Sequence, residues 1–221
     1  MKFIKVEQIL DGVGPLRDRI MRDLEYGKQV MWLVPGGSNI PLSVAVMAQL
    51  PDELTRHLTI MLTDERYGDV GHDDSNAHQL DESGFMPRQA TVVPVLQAGL
   101  DIAETTRQYG ISFHEASQAA DVIIGQFGMG SDGHIAGILP GSPAITSVDY
   151  AAAYNTEQYD RITLTPKALL KLTTAYVFAL GNDKLPALEA LSKLNTPVAE
   201  QPAQLLKQLS EVYVYNDQIS N

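Results

Sequence analysis

Two side chains able to pass a proton stand two residues apart in Gly128-Met129-Gly130-Ser131-Asp132-Gly133-His134. An imidazole titrates near neutral pH and suits a general base, and a neighbouring carboxylate can orient it or stabilise its charged form. The glycines, Gly130 among them, let the backbone take positive φ angles and come close to a ligand. The apolar run 121–127 just before this stretch reads as a buried strand. Asp132 and His134 are therefore expected at the carboxyl end of a sheet strand, where open α/β folds hold their ligand crevices. Taken alone, the segment could equally be a tight turn with Asp132 as a helix cap and His134 on the surface.

Two more segments end apolar runs in the same way. Val34-Pro35-Gly36-Gly37-Ser38-Asn39 precedes a helical pattern from Leu42, so backbone N–H groups, the Ser38 hydroxyl and the Asn39 amide converge where a helix dipole favours an anion such as phosphate. A turn with an N-cap and no ligand is the other reading. The segment has neither the lysine of a nucleotide P-loop nor a Gly-x-Gly-x-x-Gly fingerprint, which argues against ATP and NAD. Thr63-Asp64-Glu65-Arg66-Tyr67 follows the run 58–62. Charges at a buried strand end need a polar cleft or one another. In an extended chain Asp64 and Arg66 share one side and Glu65 takes the other, where an internal ion pair would accommodate it. Ser75-Asn76, further on, reads as a helix cap or a sugar contact. Arg161 and Lys184 also sit at the ends of strand-like runs, positioned to add positive charge to the same crevice.

These residues need a sheet to hold them. Apolar β-rich runs at 29–34, 58–62, 92–95, 121–127, 161–164, 175–180 and 212–215 alternate with helical patterns at 15–25, 42–50, 102–119, 166–171, 184–194 and 202–209. The alternation predicts an α/β, modified Rossmann-like fold, a mainly parallel sheet with helices on both faces. Residues 68–76 read as loop. No linker, repeat or low-complexity segment divides the 221 residues, so a single domain is expected.

Composition narrows the function classes. A net charge of −11 argues against binding nucleic acid or anionic membranes, so positive contacts with an anionic ligand must be local. The chain has no cysteine, and its five histidines show no helical metal-ligand spacing, so no metal is expected. No apolar stretch is long enough to span a bilayer, and charges interrupt the N-terminal residues, which predicts a cytoplasmic protein.

The ordered segments Gly36-Gly37-Ser38, Asp64-Glu65-Arg66 with Ser75-Asn76, Gly128 to Ala136, Arg161 to Thr165 and Gly181-Asn182-Asp183-Lys184 resemble the 6-phosphogluconolactonase and glucosamine-6-phosphate deaminase/isomerase superfamily. The resemblance spans about residues 30–190. It implies a six-carbon sugar phosphate bound at the carboxyl ends of the strands without a cofactor; a monomer or small homo-oligomer is expected. The deaminases that resemble this chain carry a glutamate five residues after the histidine; here that position is Leu139, which cannot accept a proton. Asp64-Glu65-Arg66 also resembles the lactonase branch. That branch implies hydrolysis of 6-phosphoglucono-δ-lactone to 6-phosphogluconate in the pentose phosphate pathway. His134 would activate water, Asp132 or Asp64 would orient it or the substrate, and Arg66 would meet carbonyl or phosphate oxygens. Gly36, Gly37, Ser38, Asn39, Gly130, Arg161 and Lys184 would bind the phosphosugar. The alternatives are a glucosamine-6-phosphate deaminase/isomerase or other phosphosugar enzyme, and a non-catalytic sugar-phosphate-binding domain. Domains of that last kind are normally fused to a DNA-binding helix-turn-helix. With about thirty residues before the first predicted strand, no such unit is expected here.

Overall fold

A computed structural model describes residues 1–220. In chain order the elements are β1 (Lys2–Lys5), α1 (Val13–Glu25), β2 (Val30–Val34), α2 (Ile40–Ala48), α3 (Asp52–Thr55), β3 (Leu58–Leu62), β4 (Asp64–Arg66), α4 (Asn76–Glu82) and β5 (Thr91–Val93). They continue with α5 (Ile102–Ala119), β6 (Val122–Gly128), β7 (Ala151–Asn155), β8 (Asp160–Leu164), α6 (Pro166–Leu169), β9 (Thr174–Ala179), α7 (Leu185–Lys193) and β10 (Val212–Asn216).

Seven strands form one sheet in the order β1-β10-β9-β6-β2-β3-β5, and every neighbouring pair in it is parallel. Its central strands are apolar along their length because both faces are covered: all of β2 and β9 is buried, as is β6 up to Phe127. From β2 the chain moves through α2 to β3 and then β5 in one direction; after α5 it returns to β6, on the other side of β2, and proceeds to β9 and β10. Right-handed crossovers in opposite directions put helices on opposite faces and leave a switch point between β2 and β6. The loops after these two strands carry Gly36 to Asn39 and Gly128 to His134, so the fold itself brings the two glycine-rich segments together.

A second sheet, order β4-β8-β7, is antiparallel and was not expected. It pairs Asp64 with Thr163, Arg66 with Arg161, and Tyr154 with Arg161. Arg161 therefore reaches the carboxyl edge of the parallel sheet from this small sheet and not from a strand of the large one. Other departures are local. A strand, β1, stands at Lys2–Lys5, so the first strand comes well before residue 29. The helix expected over 202–209 is 3-10, at Pro202–Gln208. The loop expected over 68–76 gives way to α4 at Asn76.

Candidate active site

A cavity of about 280 Å³ opens at the carboxyl ends of β2, β6 and β9 and is closed on one side by the small sheet. Its wall includes Gly36, Gly37, Ser38, Asn39, Asp64, Arg66, Gly130, His134, Arg161 and Lys184. Of the residues expected at the site, Asp132 alone is outside the wall, one hydrogen bond behind His134.

Asp132 Oδ1 lies 2.7 Å from His134 Nδ1 and accepts the His134 backbone amide at 3.1 Å. Partial burial pushes the Asp132 carboxyl up, but the amide, charge and ring hydrogen bond of His134 outweigh it, and its pKa falls below the ordinary value. An ionised carboxylate can only accept, so Nδ1 carries the proton, and in the neutral ring Nε2 has its lone pair for a substrate or water. The turn around the pair is tight. Gly133 has φ 78°, and a Cβ on Gly130 would lie 2.1 Å from His134 Nδ1. A side chain at Gly130 would displace the imidazole, and one at Gly133 would be strained at its positive φ and meet Gln201 Cγ at 2.4 Å.

On the opposite wall the alternation of β4 separates three charges. Asp64 accepts from Thr63 Oγ1 at 2.9 Å and from Arg161 Nη1 at 2.9 Å. Arg66 donates through Nη1 to the Asp74 carbonyl at 2.6 Å, and its guanidinium lies 5.3 Å from the centre of the Tyr159 ring. Glu65 turns the other way into the interior, but not into the expected ion pair. Its carboxylate accepts from the amides of Arg66 (2.8 Å), Asn76 (2.6 Å) and Ala77 (3.0 Å) and from the Ser75 hydroxyl (2.9 Å). It thus fills the N-terminus of α4, where Ser75 is the N-cap and accepts the His78 amide at 3.2 Å. Burial raises the Glu65 pKa above the ordinary value against the pull of these donors.

The same anchoring delivers Asn76, which the sequence left between cap and sugar contact, to the cavity wall. Its Nδ2 donates to the Asp64 carbonyl at 2.9 Å, and a Cβ on Gly36 would come 1.9 Å from its Oδ1. The Gly37 to Asn39 turn leads directly into α2. Lys184, at the end of the turn after β9, lies 3.0 Å from Asp183 and is largely covered.

Two features of the wall are left uncompensated. Arg66 and Arg161 are direct cross-strand partners; Asp64 offsets the charge of Arg161, while Arg66 has no ion-pair partner among the described residues. Four buried polar atoms in the wall, Asn39 Oδ1, Asn76 Oδ1, Arg66 Nε and Arg161 Nε, have no hydrogen-bond partner among the described residues. Among those residues, too, no cluster of histidine, aspartate and glutamate is arranged to hold a metal, and no helix is long and apolar enough to cross a membrane.

The sequence profile of the glucosamine-6-phosphate isomerases/6-phosphogluconolactonase family matches residues 13–214. The chain belongs to this family. Among its relatives in the family, the 6-phosphogluconolactonase of Borreliella burgdorferi is 29% identical over 69% of this chain and 69% of its own length. That of Pseudomonas aeruginosa is 27% identical over 83% of this chain and 80% of its own. A glucosamine-6-phosphate deaminase of Lactobacillus johnsonii is 24% identical over 100% of this chain and 96% of its own. The fold is that of a solved 6-phosphogluconolactonase from Shewanella baltica (TM-score 0.82, 22% identity, covering 98% of this chain and 97% of that one). It is likewise that of a monomeric glucosamine-6-phosphate deaminase (TM-score 0.78, 19% identity, covering 99% and 98%).

Proposed function

We propose that the protein hydrolyses 6-phosphoglucono-δ-lactone to 6-phosphogluconate, the lactone-opening step of the pentose phosphate pathway, with His134 as general base. The carrying observation is the Asp132–His134 pair: with Nδ1 held at 2.7 Å by an ionised carboxylate, Nε2 is the basic nitrogen of a ring that lines the cavity. Nε2 takes a proton from water as the water oxygen bonds to the lactone carbonyl carbon. The C=O electron pair moves onto its oxygen; when it returns, the ring C–O bond breaks and the leaving oxygen takes the proton back from the imidazolium. The product acid then ionises.

The phosphate falls to the Gly37 and Ser38 turn with Lys184, and Arg66 and Arg161 complete the positive lining in a chain of net charge −11. The deaminases that resemble this chain carry a glutamate five residues after the histidine, whereas here that position is Leu139, whose amide donates to the Tyr154 phenol. The curated relatives bearing the lactonase name support the same choice.

The test is acid release from freshly generated lactone, corrected for spontaneous opening, with ammonia release from glucosamine 6-phosphate followed in parallel. His134→Ala is expected to lower kcat by about 100- to 10,000-fold, the range of general-base contributions. Ammonia release without lactone opening by the wild-type protein would overturn the reading, as would an active alanine variant.

A further inference from the structure

The cavity wall contains a backbone donor with no partner. The amide of Ile138 donates to the carbonyl of Ile135 at 2.7 Å, closing a two-residue turn whose central residues, Ala136 and Gly137, have φ values of 50° and 69°. Positive φ at both positions is the type I′ arrangement, which a Cβ at Ala136 disfavours. The small sheet holds the turn from outside. Thr163 Oγ1 donates to the Ala136 carbonyl, the Tyr154 hydroxyl donates to the Gly137 carbonyl at 2.5 Å, and the Leu139 amide donates to that same hydroxyl at 3.3 Å.

These contacts aim the remaining donor. In a planar trans peptide the N–H of Gly137 points opposite to the Ala136 carbonyl. That carbonyl faces Thr163 on the small sheet, so the Gly137 N–H is directed away from it. Gly137 is buried and lines the cavity together with His134. Among the described residues its amide has no acceptor, although buried amides are ordinarily paired. Asp64 packs against Gly137, where a Cβ would lie 2.6 Å from its Oδ2, yet its carboxylate accepts from Thr63 and Arg161 and not from the Gly137 amide.

We propose that the Gly137 N–H is an oxyanion donor, meeting the lactone carbonyl oxygen as the C=O electron pair moves onto it, with Tyr154 and Thr163 as positioning residues. The proposal rests on the lactonase reading above. A fixed amide needs no reorganisation when the negative charge forms, and it acts mainly on the transition state. The pair returns from oxygen to carbon when the ring C–O bond breaks, and the hydrogen bond relaxes.

The experiment replaces Gly137 by glycolate, an ester in place of the amide that removes the N–H alone. The variant is expected to lose about 100- to 1000-fold in kcat, with KM held within about threefold. Tyr154→Phe, which frees the turn without touching substrate, is expected to lower kcat about tenfold by misplacing the donor, again with little change in KM. An unchanged kcat in the ester overturns the proposal, and so does a rise in KM alone, which would assign the amide to a substrate hydroxyl. Should circular dichroism show the ester unfolded, Tyr154→Phe decides, and wild-type kcat in that variant overturns it. Absence of lactone opening by the wild-type protein overturns the lactonase reading and the donor with it, whereas activity in the wild type with an equally active ester overturns the donor only.

Discussion

Replacing Asp132 by asparagine keeps the size of the side chain and removes its charge, which isolates what the carboxylate does for His134. The carboxylate makes two hydrogen bonds to one residue, to ring Nδ1 at 2.7 Å and to the backbone amide at 3.1 Å. A hydrogen bond to a charged group contributes about 1.5–3 kcal/mol. Asp132 is 48% exposed and His134 36%, so solvent screening reduces this to roughly 1–2 kcal/mol. At about 1.36 kcal/mol per tenfold, the loss in kcat is about 5- to 30-fold, provided the carboxylate acts on the imidazolium formed in the transition state. A pH-stat on fresh lactone measures it directly, since each turnover releases an acid. KM should stay near the wild-type value, because Asp132 does not line the cavity. The pH dependence has a definite sign. The folded pKa of Asp132 is depressed, so its favourable contribution is present above the unfolded carboxylate range and is lost as pH falls through the folded value. The asparagine variant should lack that component of acid sensitivity. A kcat within twofold of wild type, or an effect confined to KM, would refute the reasoning.

Glu65→Ala leaves three backbone amides and the Ser75 hydroxyl without their acceptor and should destabilise the protein by about 3 kcal/mol, lowering Tm by roughly 6–12 °C in a calorimetric scan. Lys184→Met keeps the length of the stem and removes the charge. It should raise KM for the phosphorylated lactone about tenfold or more with kcat nearly unchanged, and equal kinetics would remove Lys184 from phosphate binding.

What the sequence made legible followed from burial. The strands β2, β6 and β9 are continuous apolar runs because both faces of the parallel sheet are covered, and the polar segments that interrupt them are the loops of the cavity wall. The small sheet was hidden for the opposite reason. In β4 three charged residues, Asp64, Glu65 and Arg66, form a strand only because Arg161 and the amides leading into α4 receive them. In β7 the three alanines at Ala151, Ala152 and Ala153 have no β preference, and pairing with β8 decides their conformation. The edge strand β1 buries only Phe3 of its four residues, too little to leave a pattern. Asp132, His134, Asp64 and Arg66 could be picked out by type and spacing. Gly137 and Tyr154 could not, because a backbone donor has no side-chain signature and Tyr154 lies on an unseen strand. Glu65 carried the right signal, a charge on the buried side of its strand, but nothing local revealed that α4 would supply its partners.

The bond between Asp64 and Arg161 joins residues 97 positions apart, and the strand pair that carries it closes the cavity. The parallel sheet can place the Gly36 to Asn39 and Gly128 to His134 loops without it. Long-range pairing of this kind is slow to form and easily lost, since the chain between its ends must first be ordered. A molecule whose parallel sheet is complete would bury Trp32 in β2 and look native by its fluorescence while the small sheet was still undocked. Such a molecule would hold the Gly36 to Asn39 turn and an imidazole but neither guanidinium. Turnover is therefore a stricter report of folding for this chain than any probe of its core.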